Sequence, residues 1–287
     1  MKEKGTILPS KEEIRQNKGK FAVYFVLRLS VIGTMIAQAY NHNYNDVFLC
    51  VLTLVLFLVP SFLEKRLNIS LPNTLEIIIL LFIYSAEILG EIRQYYLMYD
   101  RWDDMLHTLN GFLCAAIGFS LIDILNRSEK FHITLSPIFV AMVSFCFSMT
   151  IGVLWEFFEY FMDTCFSMDM QKDTLIYSIS SVMLNPQGIN VPVTVPIESV
   201  VINGEPWIGY IDIGLKDTMS DLFVNFIGAL VFSVVGLFYI KGRGKGTFAK
   251  RFIPTLKNNG SARSPKRGDG AGNSDHCPVS ENNQNSS

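Results

Sequence analysis

Residues 135–157 read LSPIFVAMVSFCFSMTIGVLWEF, a long apolar run whose only charged side chain is Glu156. A helix needs about 20 residues to cross the hydrocarbon core, so this run is long enough to span a bilayer. Working outward from it, comparable runs stand at roughly 21–39, 46–63, 74–92, 105–125 and 220–240. In lipid every backbone N–H and C=O must be satisfied internally, which favours helices over open strands, and no run alternates as a barrel strand would. The expected fold is an all-α polytopic membrane protein with about six transmembrane helices.

Composition agrees with this reading. The 287 residues are 49% hydrophobic and 17% charged, with 22 Phe; a soluble chain carries about a quarter charged residues. The net charge of −2 gives no basic field for nucleic acid, so the lipid bilayer is the expected partner. Cys50, Cys114, Cys146, Cys165 and Cys277 show no CxxC spacing; three of them lie inside apolar runs and read as packing residues, Cys277 is incidental in the tail, and no disulfide framework or zinc site is written.

The separators define the organisation. Residues 1–20 form an N-terminal segment, 21–240 a six-helix domain with a long connection at 163–219, and 241–287 a tail that is polar and expected to be disordered from 257 onward. With the N-terminus inside, 19 Lys and Arg fall on the inner side and 4 on the outer (Arg93, Arg101, Lys172, Lys216), with Arg28 inside the first span. That bias implies two cytoplasmic termini and an extracytoplasmic long loop. Arg28 can snorkel inward. Ala37-Gln38-Ala39 offers a rival reading of the first run as a cleaved signal peptide, against which stand its length and Arg28. Within the loop, Asn203-Gly204 between β-rich runs predicts a small extracytoplasmic β-hairpin near 194–213, because both turn positions need positive φ.

Ionisable groups inside a span cost about 2.5–3.5 kcal/mol each on insertion scales and need a reason. Glu87 and Glu91 lie one turn apart near the end of the third run. Asp104, His107 and Asn110 open the fourth; Glu156, Glu159 and Asp163 close the fifth; Asp217, Asp221 and Asn225 begin the sixth at i+4 steps. Alternating helix direction places all of these at the outer side, so four helices are expected to converge on one polar layer. Gly111, Ala115 and Gly118 on the fourth helix, and Asn225, Ala229 and Ser233 on the sixth, are small-residue faces that would let the helices approach. In this scheme Glu87, Glu156 and Asp221 hold a cation or act as general base, and His107 carries a proton. Glu91, Asp104, Asn110, Glu159, Asp163, Asp217 and Asn225 line the ligand. A set of carboxylates with one imidazole suits Mg²⁺, Mn²⁺, Zn²⁺ or iron, and nothing in the sequence singles out one of them.

Each group also has a plain structural reading. Glu156, Glu159 and Asp163 can be solvated among the interfacial aromatics Trp155, Phe157, Phe158 and Tyr160. Asp104 and Asp217 can be helix-start residues favoured by the dipole. His107 can be a structural hydrogen-bonder, and Glu87 a buried structural partner.

The segments Trp102-Asp103-Asp104-Met105-Leu106-His107-Thr108-Leu109-Asn110-Gly111, Gly152-Val153-Leu154-Trp155-Glu156-Phe157-Phe158-Glu159 and Asp217-Thr218-Met219-Ser220-Asp221-Leu222-Phe223-Val224-Asn225-Phe226-Ile227-Gly228 together resemble the YjdF-like family of bacterial inner-membrane proteins. The resemblance covers roughly residues 75–240. It implies a bacterial plasma-membrane location and a multi-helix fold, and no reaction. The Asp-x-x-His start and the Asp-x-x-x-Asn-x-x-Gly end are also similar to VanZ-like membrane proteins, linked to glycopeptide resistance.

Three functions remain open on sequence grounds. The first is a site at the outer ends of helices three to six acting on an envelope or lipid-related ligand. The second is a proton- or ion-coupled transporter, against which stands the lack of an internal repeat. The third is a non-catalytic assembly partner. No Gly-x-Ser-x-Gly, His-Glu-x-x-His or P-loop pattern names a reaction.

Overall fold

The computed structural model describes residues 15, 17–66, 69–126, 135–242, 244 and 246–256. Most of the N-terminal segment and the tail from 257 onward lie outside the described residues. The chain divides after Lys257, and the helices all belong to the first unit, Met1–Lys257.

Eight α-helices carry the described fold: α1 (Lys18–Tyr40), α2 (Tyr44–Leu56), α3 (Val59–Arg66), α4 (Asn73–Tyr84), α5 (Tyr95–Met98), α6 (Trp102–Asn126), α7 (Pro137–Phe166) and α8 (Leu215–Lys241). Five helices are long and apolar enough to cross a membrane, with α2 and α3 counted together as Tyr44–Arg66. The third expected span differs in kind. α4 runs for 12 residues and continues as a π-helix, Ser85–Ile92. A π-turn widens the helix by one residue per turn without changing composition, so an apolar run cannot announce it.

That composite segment still traverses the bundle. At its start, Lys20 Nζ lies 2.5 Å from Glu76 Oε2, and Asn73 donates to Asn17 Oδ1 at 2.6 Å. Further along, Trp102 at the start of α6 donates to the Ser85 carbonyl at 3.3 Å. Among the described residues five spans meet the length and apolarity criterion, one of them as α2 and α3 together, and the composite segment Asn73–Ile92 packs beside them.

Local signals set the helix ends. Ser136 accepts from Phe139 N–H at 3.2 Å with Pro137 in the first turn, a side-chain cap beside a residue that has no N–H to satisfy. Arg28 folds back one turn over the Tyr24 ring, 4.2 Å from its centroid, and donates to the Tyr24 hydroxyl at 3.1 Å. Its charge is thus carried toward the start of α1.

Two apolar clusters hold the bundle. Leu27, Val31, Cys50, Phe57, Leu80 and Ile88 join α1, α2, α4 and the π-segment. Leu75, Leu113, Phe119, Val140, Phe232 and Phe252 join α4, α6, α7, α8 and the chain beyond α8. Phe25, Phe48, Phe62, Phe157, Phe223 and Phe238 point outward and are exposed. A water-soluble surface would not carry so many large apolar side chains; a lipid-facing one does.

The sequence places residues 246–256 in the polar tail, and the structure corrects this. A 3₁₀ turn at Ala249–Arg251 leads into Phe252 and Ile253, both buried. Strand β8 (Thr255–Leu256) then pairs antiparallel with β1 (Ile69–Ser70). Averaged hydropathy hides these few apolar residues among lysines and glycines, yet they suffice to seat the segment on the core.

The long connection carries β2 (Leu175–Ile176), β3 (Ser178–Ser181), β4 (Val193–Pro196), β5 (Val200–Ile202), β6 (Glu205–Trp207) and β7 (Tyr210–Ile211). They pair antiparallel as β2–β7, β3–β4 and β5–β6. The expected hairpin is β5–β6: Asn203 and Gly204 turn it with φ of 53° and 91°, the double positive φ of a two-residue type I′ turn.

Candidate functional site

Close helix approach builds the site. A Cβ on Gly111 would lie 2.1 Å from the Asn225 carbonyl oxygen, and one on Gly228 would lie 2.0 Å from that of Thr108. Only glycine lets α6 and α8 come this near. Ser148 and Ser144 of α7 donate to the carbonyls of Gly111 and Ala115 at 2.7 and 2.6 Å, closing the third side. Asn225, fully buried, accepts from Asn110 at 3.2 Å and rests against Gly152, where a Cβ would come within 2.6 Å of its amide nitrogen. The expected small-residue faces do meet, with Gly152 and Gly228 joining them.

One turn toward the loop-bearing end, four carboxylates and a histidine gather. His107 Nε2 lies 3.5 Å from Asp103 Oδ1 and 3.9 Å from Asp221 Oδ2; its Nδ1 lies 3.7 Å from Glu156 Oε1. Donor atoms of Asp103, His107 and Asp221 fall within 4.8 Å of one another, as do those of Glu156, Glu159 and Asp221. Glu156 is 3% exposed and Asp221 1%. Both Glu156 oxygens and Asp221 Oδ2 are buried without a hydrogen-bond partner. Trp155 Nε1 donates to Glu159 Oε1 at 2.8 Å and fixes that carboxylate. The interfacial reading of Glu156 and Glu159 is thereby removed: Trp155, Phe157, Phe158 and Tyr160 turn outward while both acids turn in.

Three helices converge, not four. Among the described residues no hydrogen bond or ion pair joins Glu87 or Glu91 to the cluster, and Glu91 is exposed. The link from that side is Tyr96 in α5, which packs where a Cβ on Gly90 would sit. Burial first, then the nearby carboxylates of Asp103, Glu91, Glu87 and Glu159, push its phenol well above its usual range. It stays protonated and can only donate or accept a hydrogen bond.

Several expected ligand residues serve the scaffold. Asp163 accepts from Met170 N–H at 2.6 Å and Gln171 N–H at 2.9 Å. Asp217 accepts from Lys172 N–H at 2.7 Å. Asp212, not singled out by sequence, accepts from Thr174 and Lys216 N–H at 2.9 and 3.0 Å. These three aspartates stitch the loop to the ends of α7 and α8. Asp104 takes other partners: Ser220 donates to it at 3.2 Å and Arg101 pairs with it at 3.7 Å. It borders an apolar groove of about 660 Å³ with Thr108, Phe112, Gly228 and Phe252.

Asp103 takes the place expected of Asp104. Asp103 and Asp104 precede His107 by four and three residues, so both flank its face of α6, and their other partners decide which one reaches the ring: Asp104 is held by Ser220 and Arg101, and Asp103 is left to His107. The i, i+4 spacing of Asp103 and His107 was the available signal.

A family model described as a predicted membrane protein (DUF2238) matches residues 22–242. No curated protein and no solved structure matches the chain.

Proposed function

The chain belongs to the DUF2238 family of predicted membrane proteins, and from that premise we propose that its buried acidic–histidine site holds a divalent cation and acts on an envelope or lipid-related ligand. The observation that supports this most is Glu156, buried with no hydrogen-bond partner within 3.5 Å of either carboxylate oxygen, Thr218 being a hydroxyl side chain that approaches it. Carboxylates removed from water require a compensating positive charge, from protons or from a metal ion. His107 and Asp221 stand within 4 Å of it or of each other. In this reading Glu156 and Asp221 are ligands, and His107 is either a ligand or the proton carrier. Glu87 and Glu91, on the π-segment, stand outside this ligand set.

The Lys and Arg bias supports both termini on the cytoplasmic side and the site at the outer face, and the bacterial plasma membrane is what the resemblance to the YjdF-like family implies. The protein sits in the bilayer by virtue of its exposed apolar belt.

Metal analysis of the purified protein tests the cation. Wild type is expected to retain stoichiometric metal after desalting, and Glu156→Gln to lose most of it; equal, negligible metal in both rejects the site. Lipid and metabolite profiling of a deletion strain, complemented with wild type, Glu156→Gln or His107→Ala, tests the ligand. A compound that accumulates in the deletion and with both variants identifies it. Full rescue by both variants returns the cluster to a packing role.

A further inference from the structure

The donors fall into two groups rather than one. We infer that the cluster takes two divalent cations side by side, with the Asp221 carboxylate bridging them; this rests on the cation reading above and extends it. The donors form two triads, Asp103–His107–Asp221 and Glu156–Glu159–Asp221, and Asp221 is the one residue common to both. A carboxylate has two oxygens and can give one to each ion. Two-metal centres place their ions about 3.5–4 Å apart.

Spacing within the first triad suits direct ligation. With metal–ligand bonds of about 2.1 Å, neighbouring ligand atoms stand about 3.0–3.7 Å apart and opposite ones about 4.2 Å. The separations of 3.5 and 3.9 Å from His107 Nε2 fall in that range. They are too long for hydrogen bonds and too short for groups that ignore each other. With Nε2 on one ion, Nδ1 of the same ring faces Glu156 Oε1 at 3.7 Å. That turns the ring's other nitrogen toward a carboxylate assigned to the second ion, so the imidazole stands between the two groups.

Charge gives an independent argument. Asp103, Glu156, Glu159 and Asp221 bring four carboxylates, and among the described residues no Lys or Arg forms an ion pair with any of them. One divalent ion would leave two of the four carboxylates to be neutralised by protons, whereas two ions would balance all four. Unpartnered oxygens on Glu156 and Asp221, each residue at least nine-tenths buried, mark where the ions would enter. Four carboxylates to one imidazole is an oxygen-rich set suited to Mg²⁺ or Mn²⁺.

Mn²⁺ is the probe, because two neighbouring Mn²⁺ ions couple their spins. The full chain in detergent, stripped with chelator and dialysed against Mn²⁺, is expected to hold two ions per chain with a spin-coupled paramagnetic resonance spectrum. Asp103→Asn and Glu159→Gln are each expected to reduce this from two ions to one and to restore the six-line signal of an isolated ion. Glu205→Gln, in the exposed hairpin, is expected to change neither reading. One ion per wild-type chain with the isolated signal overturns the pair while leaving the cation site; no ion at all overturns both.

Discussion

Single residues decide how near the helices come. Gly111 and Gly228 are the contact between α6 and α8, since a methyl at either would overlap a carbonyl oxygen of the other helix. Gly228→Ala must push the helices apart or tilt them, at a cost of about 1–3 kcal/mol. Gly33 is the matching control: a Cβ there meets nothing within 4 Å. Because alanine favours a helix over glycine by about 1 kcal/mol, Gly33→Ala is expected to be neutral or slightly stabilising. Thermal unfolding in detergent should separate the two, with Gly228→Ala melting well below Gly33→Ala. Equal melting would mean that the α6–α8 contact can relax freely. This scale was partly legible in the sequence. The glycines and the His107–Glu156–Asp221 set were readable because small and charged residues are conspicuous in apolar runs. The choice of Asp103 over Asp104 was not, because both flank His107 and the contacts of Asp104 with Ser220 and Arg101 draw it away.

At the scale of elements, the acidic residues divide into two populations that composition cannot tell apart. Glu156, Glu159 and Asp221 face one another inside the bundle, whereas Asp163, Asp212 and Asp217 spend their oxygens on backbone N–H groups at the roots of the loop. What separates them is the fold of residues 167–174, which has no periodic signature. Asp163→Ala leaves the N–H groups of Met170 and Gln171 without their acceptor, a local loss of about 1–3 kcal/mol. Faster amide exchange confined to this stretch is expected, with metal content at the wild-type level. Lost metal with an intact loop would return Asp163 to the ligand set. The hairpin was readable because Asn203-Gly204 encodes its own turn. The π-segment was not, since its extra residue per turn leaves the apolar run unchanged.

For the whole molecule, the question is which way the bundle faces. One end is tied by Lys20–Glu76, by Asn17–Asn73 and by the pairing of β1 with β8. The other carries the loop and the acidic cluster, joined through Lys172 and Asp217. Among the described residues, Arg15, Lys18, Lys20, Lys65, Arg66, Lys241, Lys250 and Arg251 belong to segments at the first end, so that end is expected in the cytoplasm. Single cysteines at Ser199, in the exposed loop, and at Asn17, in a chain whose native cysteines are replaced, test this with a membrane-impermeant maleimide. Ser199→Cys is expected to react in intact cells and Asn17→Cys only after permeabilisation. The reverse pattern would turn the carboxylates toward the cytoplasm, where soluble metabolites rather than envelope intermediates would reach them. Orientation therefore decides which ligands can reach the site, and the ion-pair geometry inside the bundle is the same in either case.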